Sequence, residues 1–531
     1  MTSTSQQTFR TTCLILTLAA AGMAALLALL PAAGHDQLWF LMMAHRWLAG
    51  AQLYGPQVFD SNPPGIVWLS ALPVLLAQAL HIPTTLAAKL LVTLLETATS
   101  LLSLYFLRKA RPTPSYELPA LLFSAITLFY VLPARDFGQR DQILAFLILP
   151  YILAAATPQR LTFARIAAGI LAATAICLKP HHALIPIAIE LTLLLLNSKL
   201  KTEQNPLSSS LTPPTLTPLQ TLLRPEPILL ILLGTTFLFA IHHLTPLYVT
   251  SALPILHQTY WAIGHLSIPA LSLEAIELLI LAAISIALKP RTHTILLLQI
   301  AATAATAAYF IQGTGWYYQQ LPAIDLFAAA LTLQLLDIAA ARPFTLPTWL
   351  PKATAALSIL ALALTTYFTG SPFTPDRAFA ITNPDPTFFT SLAPNTPVAI
   401  LTTSVDAAMM PIERYHLLWA QRMNNLWLLP AILRSESPTS GTPPTRTLPP
   451  ATITQLDTLQ HRWMVEDLTQ WRPTLILINR CQDPAVHCQE LEDRHDNLLA
   501  FFLRDPAFTT LWTHYTYTGS QGDFDAYTLK P

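Results

Sequence analysis

Four short polar stretches, each set between long apolar runs, hold the residues that could do chemistry. The first is Gly34-His35-Asp36-Gln37, followed by Tyr54 and then Asp60-Ser61-Asn62-Pro63-Pro64. A carboxylate such as Asp36 can act as a general base toward a hydroxyl, or bind a cation. It can equally be the N-cap of an amphipathic helix over 37–49. The second stretch is Arg135-Asp136-Phe137-Gly138-Gln139-Arg140-Asp141. Its arginines suit a phosphate, because a guanidinium offers paired hydrogen bonds, and Asp141 sets a carboxylate beside them. An ion pair anchoring a turn would use the same residue types. The third is Lys179-Pro180-His181-His182, where the lysine either snorkels to headgroups or binds an anion. The two histidines are adjacent, a poor spacing for two ligands on one helix face, so no metal is expected there. The fourth is Gly313-Thr314-Gly315-Trp316-Tyr317-Tyr318-Gln319-Gln320. Such aromatics either form an interfacial belt or stack on a sugar face.

These stretches need elements to hold them, and composition says which. The 531-residue chain is 53% hydrophobic and 11% charged, with zero net charge. A soluble protein of this size carries roughly 25% charged residues, so lipid is the solvent expected here. Zero net charge gives no indication of a nucleic-acid partner. The 45 prolines argue against a plain soluble bundle, whereas lipid-embedded helices tolerate proline. Apolar runs of span length recur from 13–33 to 352–369, one of them at 272–288. The first ends in Pro31-Ala32-Ala33-Gly34, which imitates a signal-peptide cleavage site. At about 20 residues it is too long for a signal core and reads as an uncleaved span.

Lysine and arginine in short loops set the orientation. Arg108-Lys109-Arg111, Arg160 with Arg165, Lys199-Lys201, Lys289-Arg291 and Arg342 with Lys352 all fall on the cytoplasmic side on one condition. The run 65–82, which opens on Pro63-Pro64-Gly65 and contains Pro73, must be re-entrant or interfacial. The expectation is a polytopic α-helical membrane protein of about eleven spans over 1–370, with an extracytoplasmic α/β domain over 371–531. In that domain 398–401 and 475–478 read as buried strands, and 456–471 and 491–504 as helices. Cys481 and Cys488 lie there, and a disulfide between them is expected if the domain is extracytoplasmic. The polar segment 199–226 reads as a flexible cytoplasmic linker, and 435–452 as a loop of the C-terminal domain.

Taken in order, these stretches resemble the C-type glycosyltransferase superfamily. The resemblance is greatest to bacterial relatives of dolichyl-phosphate-mannose–protein mannosyltransferases and of the lipid A aminoarabinose transferase. It is carried by Asp36 after the first span, by Leu48-Ala49-Gly50 with Leu53-Tyr54 and Asp60-Ser61-Asn62-Pro63-Pro64-Gly65, and by Asp141 after Arg140. Lys179-Pro180, Gly315-Trp316 with Tyr318, and Pro411, Trp419, Arg422 and Trp427 resemble a less studied bacterial branch. The resemblance implies a multi-pass enzyme of the bacterial inner membrane, with its active site and C-terminal domain on the periplasmic or extracellular side. The donor would be a polyprenyl-phosphate-linked sugar, the acceptor a lipid, glycan or protein, and transfer would invert the sugar. Asp36 would be the base and Asp141 a supporting acid. Arg135, Arg140 and Lys179 would hold the donor phosphate, and Trp316, Tyr318, Tyr54 and Asn62 would contact sugar or lipid. No cofactor is indicated, although a divalent metal is compatible with the family. The chain departs from the family pattern at Gln37, where a second acid is common, at Asn62, often basic, and at Gln319, a histidine in the related branch.

Two other classes stay open. A transporter or flippase for a polar lipid would also place cations at the outer surface, but needs polar or broken elements at the bilayer midplane. Glu96 and Glu190 are the main charges near span centres. The third class is an inactive membrane scaffold whose outer domain binds a partner.

Overall fold

The computed structural model describes residues 3–29, 33–111, 113–133, 136–157, 162–200, 218–264, 266–341, 346–369, 386–436, 447–486, 488, 490–491 and 494–531. The first part of the chain forms helices α1 (Ser3–Leu29), α2 (His35–Leu48), α3 (Gly65–Leu80), α4 (Thr84–Ala110), α5 (Leu118–Ile126), α6 (Arg140–Ala155), α7 (Phe163–Leu178) and α8 (Leu184–Leu200). Later long helices are Pro225–Leu244, His293–Gln312, Leu321–Ala341 and Leu350–Thr369. The chain divides into two compact units. One holds Met1–Pro31, Leu86–Phe239 and Leu266–Ala378; the other holds Ala32–Thr85, Ala240–His265 and Phe379–Pro531.

The first unit is a helical bundle solvated by lipid. Leu18, Leu94, Leu195, Ile231 and Leu357 are 64–67% exposed. That many outward leucines and isoleucines suit hydrocarbon rather than water. This is a multi-pass membrane protein. Helix α6, in contrast, is buried from Arg140 to Ala155 except at Leu149. It packs against α7 and against His293–Gln312 and Leu321–Ala341. Gly169 lets α7 approach its neighbour, since a Cβ there would meet the Cα of Glu226 at 3.0 Å. Beside that contact Arg165 is buried in an ion pair with Glu226, and it donates to the Ala154 carbonyl at 2.9 Å.

Eleven spans are not confirmed. By length and apolarity five described helices can cross a membrane: Ser3–Leu26, Thr84–Ala110, Pro225–Leu244, His293–Gln312 and Tyr317–Ala341. A sixth is available if Ile268–Glu274 and Ile276–Ala287 form one broken span, bent by 77°. The apolar run at 272–288 is interrupted there, at Ala275. Gly65–Leu80, Ser115–Val131, Phe163–Leu178, Pro180–Leu196 and Leu350–Leu364 are apolar but shorter. A 16-residue helix such as α3 rises about 24 Å, against roughly 30 Å of hydrocarbon.

The two ends of this bundle differ in charge. Arg111, just past α4, pairs with Glu117 at 3.1 Å and Asp337 at 3.0 Å. Arg165 begins α7, and Arg224 pairs with Glu190, which also accepts from the Tyr151 hydroxyl at 2.5 Å. Following the helices through their contacts puts Arg111, Arg165 and Arg224 at one end. Lys179 and the loop after Gln312 are at the other.

The second unit is built on a five-stranded sheet in the order β2-β1-β3-β5-β4. Its strands are β1 (Pro397–Leu401), β2 (Leu418–Trp419), β3 (Leu475–Asn479), β4 (Tyr515–Gln521) and β5 (Phe524–Leu529). β1 lies parallel to β2 and to β3, with Val398 opposite Leu475, while β3–β5 and β5–β4 are antiparallel. The apolar cores of β1 and β3 fit central strands covered on both faces. Tyr-Thr alternation in β4 fits an exposed edge. The helix read at 456–471 runs from Pro450 to Trp471, and the one read at 491–504 is replaced by Leu498–Phe502 and Pro506–Trp512. Asn497 caps the first of these, so the helix starts later than read, and Asp505 caps the second, which lies beyond the run. Cys481 and Cys488 are joined as a disulfide just after β3.

Candidate active site

The polar centre of the membrane unit is built at the first turn of α6. Gln139 is extended at the N-cap, and Arg140, Asp141 and Gln142 follow as the first helical residues. Gln142 accepts from the Gly138 N–H and donates to the Phe129 carbonyl at 2.6 Å, which fixes the turn. Asp141 is fully buried. Burying a carboxylate is costly unless it is paired. Lys179 supplies the pair, with Nζ 2.8 Å from Oδ2, and His182 Nε2 stands 3.9 Å from Oδ1. The positive end of α6 adds a further attraction for negative charge.

Lys179 reaches this point because α7 must stop beneath it. Pro180 disfavours a helical conformation at the residue before it, and Lys179 sits at φ −142°, ψ 87°. Its ammonium lies 3.3 Å from Gln312 Oε1 and 5.5 Å from the centre of the Tyr318 ring. Tyr318 is presented by the loop after Gln312, which left-handed glycines shape. Gly313 closes the helix at φ 76°, and Gly315 has the same φ. The positive φ at Gly315 favours glycine, and a Cβ there would also press on Leu266 Cδ1, 2.5 Å away. The Trp316 and Tyr318 rings lie 5.8 Å apart, and Thr314 donates to Gln319 Oε1 at 2.7 Å. Asp141, Lys179, Tyr318 and Trp316 are thus brought together, with buried Arg140 beside Asp141. Arg135 lies outside the described residues. Among the described residues no group of three or more His, Cys, Asp or Glu is placed to hold a metal ion.

The other predicted residues belong to the sheet-containing unit. Asp36 is not the N-cap of α2: Gly34 is, and the helix starts at His35. The helix begins earlier than its apolar pattern suggests, because His35 and Asp36 already have helical backbone. Asp36 lies 3.3 Å from the imidazole of His35 and near the helix N-terminus, where a negative charge is favoured. Tyr54 and Asn62 do meet, through the Tyr54 hydroxyl, which donates to the Asn62 carbonyl at 2.6 Å. Asp60 accepts from the Asn62 N–H at 3.1 Å, and the Tyr54 ring packs on Tyr248. This loop is anchored by Arg46, which donates to the carbonyls of Gln57, Gln421 and Trp419 and stacks over Trp471. Phe59 N–H donates to the Arg422 carbonyl. Arg422 in turn holds Asp467 at 2.8 Å and Glu466 at 2.7 Å. Trp427 stacks on Tyr260, and Glu490 accepts from the Gly264 N–H, so the segment 240–265 is tied to the same unit.

No protein-family model matches the chain, and no curated protein does. Among solved structures it is similar to ArnT from Cupriavidus metallidurans bound to undecaprenyl phosphate. The TM-score is 0.50 at 13% identity, over 97% of each chain. The chain shares the fold of that structure. It also matches the arabinofuranosyltransferase AftD from mycobacteria, with a TM-score of 0.40 at 13% identity, over 97% of this chain and 40% of that one.

Two groups within this fold escape a reading of the sequence. Arg46 sits in the polar half of α2 and looks like a solvated charge, yet burial pulls its guanidinium down to about 10, against the attraction of Asp467. Two of its three carbonyl partners are more than 370 residues away, so local sequence does not mark it. Asp325 lies in a long apolar run and is 2% exposed. An acid well inside a predicted span is the signal that could have found it.

Proposed function

We propose that the chain is a membrane glycosyltransferase that moves a sugar from a polyprenyl phosphate to a hydroxyl of a lipid, glycan or protein. The observation that carries this reading is the buried Asp141–Lys179 pair under Tyr318, at the end of the bundle away from Arg111, Arg165 and Arg224. A lipid phosphate leaving group develops charge that must be neutralised where it forms. Lys179 and Arg140 are the cations for that task, with Arg135 as a third. Asp141 acts as the supporting acid by fixing Lys179. Trp316 and Tyr318 contact the sugar or the lipid chain, as do Tyr54 and Asn62. The similarity to a structure bound to undecaprenyl phosphate supports a donor of that class.

In the proposed step the acceptor oxygen attacks the anomeric carbon as the bond from that carbon to the phosphate oxygen breaks. Asp36 takes the acceptor proton, the polyprenyl phosphate leaves, and a single displacement inverts the sugar. This takes place on the face of the bacterial inner membrane away from the cytoplasm. The charge on the leaving phosphate is met by side-chain cations, so no metal is required by the step as proposed. The bent pair Ile268–Glu274 and Ile276–Ala287 favours one other reading, a flippase for a polar lipid, since broken helices mark such sites. The test is a purified protein in nanodiscs with a radiolabelled polyprenyl-phosphate sugar and an acceptor extract. A transferase releases free polyprenyl phosphate, and Asp36→Asn slows that release by roughly 10²–10⁴. A flippase moves the donor intact and is indifferent to acceptor. A well-folded Asp36→Asn protein with wild-type turnover would remove Asp36 as base.

A further inference from the structure

Two histidines follow Lys179-Pro180 in the sequence, and the transfer step as proposed uses neither. Both lie on a short 3-10 turn, Pro180–Ala183, which packs against α7, α8 and the helix His293–Gln312. The turn is pinned by the His182 N–H, which donates to the Lys179 carbonyl at 3.1 Å. The backbone that delivers Lys179 to Asp141 therefore delivers His182 to it as well.

His182 is 0% exposed, and among the described residues neither of its ring nitrogens has a hydrogen-bond partner. Burying polar atoms in that state is costly. If the ring served only to fill space, phenylalanine or leucine would do so without nitrogens to desolvate. The ring is also aimed. Its Nε2 stands 3.9 Å from Asp141 Oδ1, while Lys179 holds the other oxygen, Oδ2, at 2.8 Å. A distance of 3.9 Å is about 1 Å beyond a hydrogen bond.

The donor-bound state gives those nitrogens a purpose, on the reading above that Lys179 holds the donor phosphate. In the lipid-free protein the ammonium meets Asp141 Oδ2 and lies 3.3 Å from Gln312 Oε1. A phosphate that draws the ammonium toward itself weakens its hold on Asp141, and the phosphate's own charge repels the carboxylate. Asp141 is buried and has no route to water, so its loss counts directly against donor binding. A neutral imidazole can donate from Nε2, and a shift of about 1 Å closes it on Oδ1. We propose that His182 is a positioning residue that takes over Asp141 as Lys179 turns to the donor phosphate. The ammonium is then released to the lipid without stranding the carboxylate.

The test measures binding of undecaprenyl phosphate to the full chain in nanodiscs, beside thermal unfolding without lipid. His182→Phe keeps a ring and removes the donor. Its melting temperature should match or exceed that of the wild type, because the nitrogens it deletes are unpaired in the lipid-free protein. Its affinity for the lipid should nevertheless fall about ten- to a hundredfold, the effect of one hydrogen bond to a charged group. His182→Gln, whose amide N–H can reach the same oxygen, should recover most of that loss. In an Asp141→Asn background there is no charge to hold, and His182→Phe should change affinity by less than about twofold. His182→Met makes the same comparisons where the phenyl ring overpacks the turn. Wild-type affinity in a stable His182→Phe or His182→Met protein would overturn the proposal. So would a loss of affinity that is undiminished in the Asp141→Asn background, which is the mark of a packing defect. A wild-type protein that does not bind the lipid is a different failure: it removes Lys179 as the donor site, and this inference with it.

Discussion

Lys179 and Asp141 depend on each other more than either depends on the solvent. With the carboxylate at 0% and the ammonium at 6% side-chain exposure, neither can turn to water when its partner is lost. Lys179→Ala should therefore cost about 3–5 kcal/mol of stability, the usual result of stranding one member of a buried ion pair. Lys179→Met combined with Asp141→Asn removes both charges and should recover most of that loss. The same double variant should not recover affinity for undecaprenyl phosphate, if the ammonium holds the donor. Thermal unfolding and lipid binding measured side by side separate the two roles. A stable double variant that still binds the phosphate lipid would exclude Lys179 from the donor site. Each of these two residues was legible in the sequence, as a charge in a short polar stretch between apolar runs. The partnership itself was not legible, because nothing in the spacing of residues 141 and 179 says that their helices lie side by side.

At the scale of elements, the helix Pro450–Trp471 carries Asp467 against Arg422, and the balance there is sensitive to pH. Burial is the largest influence and pushes the Asp467 carboxyl up to about 6, against the pull of Arg422 and Arg46. Its folded value lies above the ordinary 3.8, so the folded form holds the proton more tightly than the unfolded chain. Stability from this group is present at low pH and is lost as pH rises through about 6, by at most about 3 kcal/mol. The melting temperature of the purified protein should fall between about pH 4.5 and pH 6.5, and Asp467→Asn should flatten that part of the profile. An identical slope in the variant would show that Asp467 ionises as it does in water. Strands β1 and β3 were readable as continuous apolar runs. The β4–β5 hairpin was not, because its edge strand is Thr- and Tyr-rich and lacks a buried face to advertise it. The short helices in the membrane unit misled in the opposite sense. Runs of sixteen residues look like spans by composition, and only their neighbours decide how far they extend.

For the whole molecule, the arrangement of charge in the bundle makes a topological argument independent of counting spans. Arg111, Arg165 and Arg224 come to one end through their pairs with Asp337, Glu226 and Glu190. Arginine concentrated at one end is the pattern expected of the cytoplasmic side. The helix Leu321–Ala341 runs toward that end, as its Asp337 shows, and Leu350–Thr369 then leads back. A reporter fused after residue 205, or inserted within 108–116, should therefore read cytoplasmic, and one fused after residue 375 should read external. The outcome matters because it fixes where, on the proposed function, Lys179 and Asp141 would meet a substrate. A polyprenyl-phosphate sugar presented at the outer face can reach them only if the arginine end is inside. An external reading for 108–116 would invert the bundle, turn the Asp141–Lys179 pair toward the cytoplasm, and leave an enzyme that would have to draw its donor from the inner leaflet.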